Sequence, residues 1–321
     1  MPASIRRTRT LNEDTVSRLT KYLVGNPQSY VLPPLFISMD GENRFEPVQA
    51  DSELGHLHIS MAARLIVNGG EHERAAIERA LAKQPNLNDE KITVIFQPDR
   101  TLHRAAEIYA ELKMFATRPS ASLRLLHSTE DDLARLSREL AEKSIPFKGF
   151  VELKRSSLSI RSRMLFTLSA VHQATKALLA GIECKTFDER LKLSIRFWNA
   201  VDKQFPEWRH VRTGKMLPSD VRFGFLHSHG LVLQALGRVG NALMRAFPND
   251  WEAKLEVLRA MDWQRENVAL WEGRALIGGR VSKSMANVTL TGNVIKKAMG
   301  LPLLPVEKEV ERAHNSGRAR R

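Results

Sequence analysis

The sequence predicts an α+β domain followed by a mostly α-helical one. Two observations carry this. In the first half, short apolar runs with strand-like patterning are interleaved with amphipathic helical segments. After about residue 155 the chain becomes a series of long helical patterns broken by Pro and Gly. The division is placed at 1–155 and 156–321. A chain of 321 residues, 43% of them hydrophobic, is long enough to bury two cores.

In order, "LNEDTVSRLTKYLVGNP" (11–27) reads as a helix with Asn12 as cap, acidic residues in its first turn and a Gly25–Pro27 stop. "YVLPPLFISMDG" and "LGHLHISM" read as strands. In the second, Leu57, Ile59 and Met61 alternate with His56, His58 and Ser60. "ARLIVNGG" is a third strand, "EHERAAIERALAKQ" a helix, "KITVIFQPD" a strand of buried type and "TLHRAAEIYAELKMFA" a helix. At least one strand–helix–strand unit is expected. Beyond the boundary, "RMLFTLSAVHQATKALLAG", "FDERLKLSIRFWNAVDKQF", "VRFGFLHSHGLVLQALGRVGNALMRAF" and "WEAKLEVLRAMDW" read as long helices. Trp251, Trp263 and Trp271 fall at helical apolar positions and are assigned to the core. "NSGRARR" is a frayed basic tail.

Lys plus Arg number 49 against 36 Asp plus Glu, a net charge of +13 that favours an anionic partner, most often nucleic acid. A single cysteine, Cys184, excludes an intramolecular disulfide framework and a cysteine-based zinc site. "MPASIRRTRT" lacks the apolar core of a signal peptide, and no run approaches the length of a membrane span. A cytoplasmic protein without a membrane partner is expected.

Two stretches concentrate cations. "KRSSLSIRSR" places Lys154, Arg155, Arg161 and Arg163 among four serines with no acid. Cations supply the charge that phosphate contacts need, and small hydroxyls donate to phosphate oxygens. A solvated linker is the alternative. From Arg274 to Val306 there is again no acid, while Arg280, Lys283, Lys296 and Lys297 are cationic. Two helices around Gly300–Pro302 there are compatible with a helix–turn–helix, although that spacing is common. His56 and His58 share a strand face but lack a third metal ligand nearby; His227 and His229, two apart on an expected helix, point to different faces. Neither pair is assigned chemistry, and no catalytic or metal residue is named.

The remaining feature is "RLIVNGGEHERAAIERAL" (64–81), a strand, a glycine pair and a helix start. Helix N-terminal amides attract anions, and glycines admit them to the backbone. Glu71 and Glu73, themselves anionic in the first turn, oppose this. The segment resembles the Asp-Gly-Gln-His-Arg signature of the DGQHR-domain family, matching at Gly70, His72, Arg74, Ala75, Ala76 and Ile77. Gly69, Glu71 and Glu73 replace its Asp, Gln and Arg. "YAELKMFATRPSASLRLLH" is similar to the family's Phe-Ala-Asp-Leu-Asn-Arg segment and Lys-Pro-Ser tail. Tyr109, Ala110, Glu111, Leu112, Ala116, Arg118, Pro119 and Ser120 match or substitute conservatively there, while Lys113 and Met114 depart. With "RTLNEDTVSRLTKYLVGNPQSYVLPPLFISMDG" and the Trp-rich C-terminal part, the likeness extends over most of the chain. It points to the DndB proteins of bacterial DNA phosphorothioate systems, with a shortened segment ahead of "RTLN".

That resemblance implies a ParB/sulfiredoxin-like N-terminal domain, binding to double-stranded DNA and repression of the modification gene cluster. It leaves open a nucleotide-hydrolysing accessory enzyme, or an assembly factor contacting the other phosphorothioate modification proteins; a homo-oligomer is compatible with each. A nucleotide site would comprise Gly69, Gly70, Glu71, His72 and Arg74, with ATP or CTP and Mg as ligand. Against the phosphate-contacting Gly-Glu-Arg-Arg turn of the ParB/sulfiredoxin superfamily, Gly70, Glu71, His72 and Glu73 keep the Gly-Glu and lose both arginines, which weakens phosphate binding there, so no cofactor is expected.

Overall fold

The computed structural model describes residues 11–99, 104–115, 119–282 and 284–318. The backbone divides into two compact units, Met1–Arg118 and Pro119–Arg321.

In the first unit, helix α1 (Glu13–Gly25) starts where expected, the Asn12 side chain accepting the Thr15 N–H at 3.0 Å. It buries Val16, Thr20 and Leu23, spaced along one face. Strand β1 (Leu35–Asp40) follows, then β2 (Asn43–Pro47) and β3 (Gly55–Ile59), which pair as a separate antiparallel hairpin. Next come β4 (Arg64–Gly69), α2 (Glu71–Lys83), a 3₁₀ turn at Pro85–Asp89, β5 (Val94–Pro98) and α3 (Arg104–Phe115). β1 is the centre of a three-stranded sheet, antiparallel to β4 and parallel to β5. The chain order β4–α2–β5 is therefore a strand–helix–strand whose strands flank β1 and run in opposite directions. Ala75, Ala76 and Ala80 of α2 pack against Val16 and Leu23 of α1.

The strand expected at 54–61 is present as β3, and it pairs with β2 in a ribbon whose residues are nearly all exposed. One expectation changes here. "VIFQP" is not of buried type: β5 sits at a sheet edge with its residues half-buried or exposed.

The second unit opens with α4 (Ala121–His127) and α5 (Asp132–Lys143). A two-residue parallel pair, β6 (Val151–Glu152) with β7 (Phe166–Thr167), is followed by α6 (Leu168–Leu179), α7 (Phe187–Asp202), α8 (Pro206–Arg212), α9 (Pro218–Gly224) and α10 (Gly230–Ala246). Short helices α11 (Trp251–Lys254), α12 (Val257–Ala260) and α13 (Val268–Trp271) lead to the hairpin β8 (Leu276–Ile277)–β9 (Arg280–Val281). The unit ends with α14 (Met285–Ala298) and α15 (Pro305–Arg318).

One hydrophobic core runs through this unit from Leu136 to Leu301. Leu136, Leu140 and Phe147 belong to it, so residues 119–155 join the helical body and the division falls at 118/119 rather than near 155. The change of character read at 155 is an exposed loop interrupting a single core. α6 and α10 pack at backbone distance: a Cβ on Gly237 would lie 2.1 Å from the Ala174 carbonyl oxygen. Trp251, Trp263 and Trp271 are buried as expected, the last two stacked with ring centroids 5.1 Å apart.

The pattern from Val221 to Phe247 is not one helix. It breaks at 225–229, where the Leu226 N–H donates to the Trp263 carbonyl and the Arg265 N–H to the Gly224 carbonyl, both at 2.9 Å. "WEAKLEVLRAMDW" likewise divides into α11 and α12. No helix among the described residues is long and apolar enough to cross a membrane.

Candidate nucleic-acid interface

The glycine turn of the first unit is built from internal contacts. Gly70 caps α2 in the left-handed region at φ 95°, and a Cβ there would lie 2.4 Å from Leu35 Cδ2. His72 Nε2 accepts the Asn12 N–H at 3.0 Å, joining the start of α2 to the start of α1. Arg74 donates to Glu78 at 2.5 Å. Beside the turn, buried Asn68 donates to the Ser38 hydroxyl at 2.6 Å. Gly69, Gly70, Glu71, His72 and Arg74 are thus gathered on one corner. Packing and hydrogen bonding within the fold account for Gly70, His72 and Arg74.

The two histidine pairs lie in different settings. His58 lies 3.3 Å from Glu46 on the exposed hairpin, and among the described residues no cluster of three or more metal-ligating side chains occurs. His227 and His229 lie in the break between α9 and α10, not on a helix. His227 is buried, stacked between Phe205 and Phe225; its Nδ1 accepts the Trp208 indole N–H at 2.9 Å and its Nε2 lies 3.2 Å from Glu207. Burial lowers the pKa of both histidines, that of His229 to about 4, so both are neutral near pH 7.

The loop carrying residues 154–163 runs from β6 to β7. One guanidinium organises it. Arg222 Nη1 donates to the Ser162 carbonyl at 3.1 Å and to that of Met164; Nη2 donates to those of Ser159 at 2.9 Å and Ile160 at 3.1 Å. At the other end, Ser120 donates to the Lys154 carbonyl, Ser156 Oγ accepts the Ser122 N–H, and Glu152 accepts the N–H groups of Lys154 and Arg155. The backbone is pinned while Lys154, Arg155, Arg161 and Arg163 stand exposed. Among the described residues none of the four has a carboxylate partner.

The same helix end tethers a second segment. Arg265 donates to the Phe223 carbonyl at 3.5 Å and, through Nη2, to the Gly279 carbonyl at 2.9 Å. Glu272 accepts the Gly278 and Gly279 N–H groups at 2.6 and 3.2 Å, fixing the tip of the β8–β9 hairpin next to exposed Arg280. Ile160, in the loop, is 87% exposed, and Phe223, at the end of α9, is 82% exposed. The fold therefore joins two cationic segments, far apart in sequence, through the end of α9 and adds two apolar prongs. Arg222, Phe223 and Arg265 were not singled out in the sequence, because "VRFG" lies inside what reads as a helix and Asp220 interrupts the cations.

The other basic stretch is different. Lys296 donates both contacts of a buried pair with Glu307, at 2.6 and 2.8 Å, its side chain only 5% exposed. Lys297 pairs with Glu311 at 2.7 Å, and Arg274 donates twice to the same carboxylate at 3.1 and 2.7 Å. Burial alone would raise the Glu311 pKa. Hydrogen bonds from Arg274, Lys297 and Asn293 outweigh it and hold that pKa at about 2. The expectation that Lys296 offers charge to phosphate is corrected: the first acids beyond the acid-free run neutralise it. α14 buries Val288, Leu290, Thr291, Asn293 and Ile295, which leaves it no free face for reading a groove. Lys283 and the last three residues of the basic tail lie outside the described residues.

No curated protein and no solved structure matches the chain. The family model DndB, described as DNA-sulfur modification-associated, matches residues 1–302, so the chain belongs to the DndB family.

Proposed function

We propose that this chain is a duplex-DNA-binding regulator, a repressor of transcription of the genes of a DNA phosphorothioate modification system. Family membership supports the association with DNA sulfur modification. The observation that carries DNA binding is the pinned surface formed by loop 154–163, the end of α9 and the β8–β9 hairpin. Its unpaired cations suit phosphates, and a rigid scaffold reduces the ordering cost of binding. Phe223 and Ile160 are apolar groups held in water beside those cations. That combination suits proteins that press a wedge against or between base steps while arginines grip the backbone. In this reading the first unit is a ParB/sulfiredoxin-like domain, supported by its strand–Gly70–helix corner at the position of the family signature.

The test is a titration of the full chain against duplex DNA from upstream of its own modification genes, over a salt series and against scrambled duplex. Several phosphate contacts give a log–log slope of roughly −4 to −8. Phe223→Ala is expected to weaken binding about tenfold with the slope unchanged, because the lost contact is uncharged. Arg222→Ala, which frees the loop, should weaken binding and change the slope. A wild-type slope near zero would remove DNA binding altogether. Loss of specific over scrambled binding would remove the repressor role.

A further inference from the structure

Between α6, α10 and the α14–α15 connection lies a cavity of about 840 Å³. That size falls within the range of small-molecule sites, roughly 300–1,000 Å³. Its walls are of two kinds. Ala177, Ala242 and Ala246 present short side chains on α6 and α10, faced by Leu301, Pro302 and Leu304. A flat ring can approach such alanine-lined helices closely, which bulkier residues would prevent.

The remaining lining is cationic. Lys176, Arg238 and Arg245 face the cavity, and among the described residues none of the three has a carboxylate partner. Arg238 gives Nη1 to the Thr289 hydroxyl at 3.0 Å, which fixes the side chain and leaves the rest of its fork available. Arg245 donates to the Ala180 and Gly181 carbonyls at 2.8 Å, anchored at the end of α6. Glu307, the acid in the lining, is closed by Lys296 at 2.6 and 2.8 Å and by the Leu304 N–H at 2.8 Å. It does not oppose an incoming anion. Three positive charges beside an apolar wall, two of them held by hydrogen bonds, repel one another and are complementary to a ligand with a charged end and a flat apolar body.

We infer that this cavity binds a phosphorylated ligand of nucleotide size, its phosphates on Lys176, Arg238 and Arg245 and its ring between the alanine wall and Leu301–Leu304. Guanidinium forks suit phosphate oxygens in pairs. The site shares no residue with the glycine turn at 69–74 or with the surface around Phe223, and it does not depend on DNA binding.

The experiment is fluorescence titration of the full chain, without DNA, using N-methylanthraniloyl-ATP as probe and ATP, AMP, adenosine and pyrophosphate as competitors. ATP should displace the probe best, and adenosine or pyrophosphate alone should compete at least about tenfold more weakly, each lacking one half of the recognition. Arg238→Gln should weaken the probe at least about tenfold. Ala242→Trp, which fills the cavity, should abolish binding while thermal unfolding shows the chain still folded. Arg74→Ala, in the other unit, should change nothing. Absence of probe binding, equal displacement by pyrophosphate, retention of affinity by both Arg238→Gln and Ala242→Trp, or loss of binding in Arg74→Ala would each overturn the assignment.

Discussion

Residues 154–163 and residues 274–306 are alike in the sequence, cationic and without a single acid, and opposite in the fold. In the first, the backbone is fixed by a guanidinium 58–63 residues downstream while the loop's own charges face solvent. In the second, carboxylates 11–37 residues downstream close on Lys296, Lys297 and Arg274. Whether a cation is available to a ligand is decided by tertiary structure, not by the local absence of acids. A protein with a net charge of +13 still divides its cations between holding itself together and meeting an anion.

The strongest way to break this comparison is to remove one cation of each kind and measure stability. Lys296→Ala leaves Glu307, only 14% exposed, with the Leu304 N–H as its remaining partner, and breaking a largely buried pair of this kind costs about 3–5 kcal/mol. Arg161→Ala removes an exposed, unpaired side chain and should fall within about ±0.5 kcal/mol. Denaturant titration of the two variants checks both. The double variant Lys296→Met, Glu307→Leu should recover most of the loss, because the pair is removed without leaving a buried charge. Equal effects of Lys296→Ala and Arg161→Ala would show that the two stretches do not differ.

A smaller effect, about 3 kcal/mol, sharpens the comparison through pH. The Glu311 carboxyl is held at about 2 in the folded protein against an ordinary value of 4.5. A folded pKa below the unfolded one means that the ionised carboxylate stabilises the fold. This contribution is complete above about pH 5 and is lost as pH falls towards 2; a shift of about two and a half units corresponds to a contribution on the order of 3 kcal/mol. Stability measured from pH 6 to 2 should decline on this limb, and Glu311→Gln should start lower and decline less. A parallel decline in wild type and variant would place the acid sensitivity elsewhere.

What the sequence makes legible follows from where each signal resides. The Asn12 cap, the Gly70 corner and the buried tryptophans are encoded within a few residues of where they act, so they can be seen in the chain. The strand at Gly55–Ile59 is legible from its alternation, but its exposure is not, because alternation says only that a strand has two faces, not that either meets a core. The break at 225–229 is hidden because "FLHSH" keeps helical apolarity, while what ends the helix is pairing with Trp263 and Arg265. Of the candidate interface, the cations of loop 154–163 and Arg280 were visible. Arg222, Phe223 and Arg265 were not, because their part depends on carbonyls 14–63 residues away.

Lys297 gives the finest test, since it lies between the two classes: paired with Glu311 at 2.7 Å yet 52% exposed. An exposed pair of this kind is worth at most about 1 kcal/mol. A phosphate could therefore compete for the lysine if the rest of the interface placed one there. The fold argues against it, because Glu311 also holds Arg274 and Asn293, and a phosphate near Lys297 would meet that carboxylate. Arg161→Ala and Arg163→Ala should each reduce the salt slope of duplex binding by about one, the signature of a lost phosphate contact. Lys297→Ala should leave both slope and affinity unchanged. A slope reduced equally by Lys297→Ala would mean that a paired surface lysine exchanges its carboxylate for DNA. Burial, as at Lys296, and not pairing, would then separate the cations that hold the fold from those that meet a ligand.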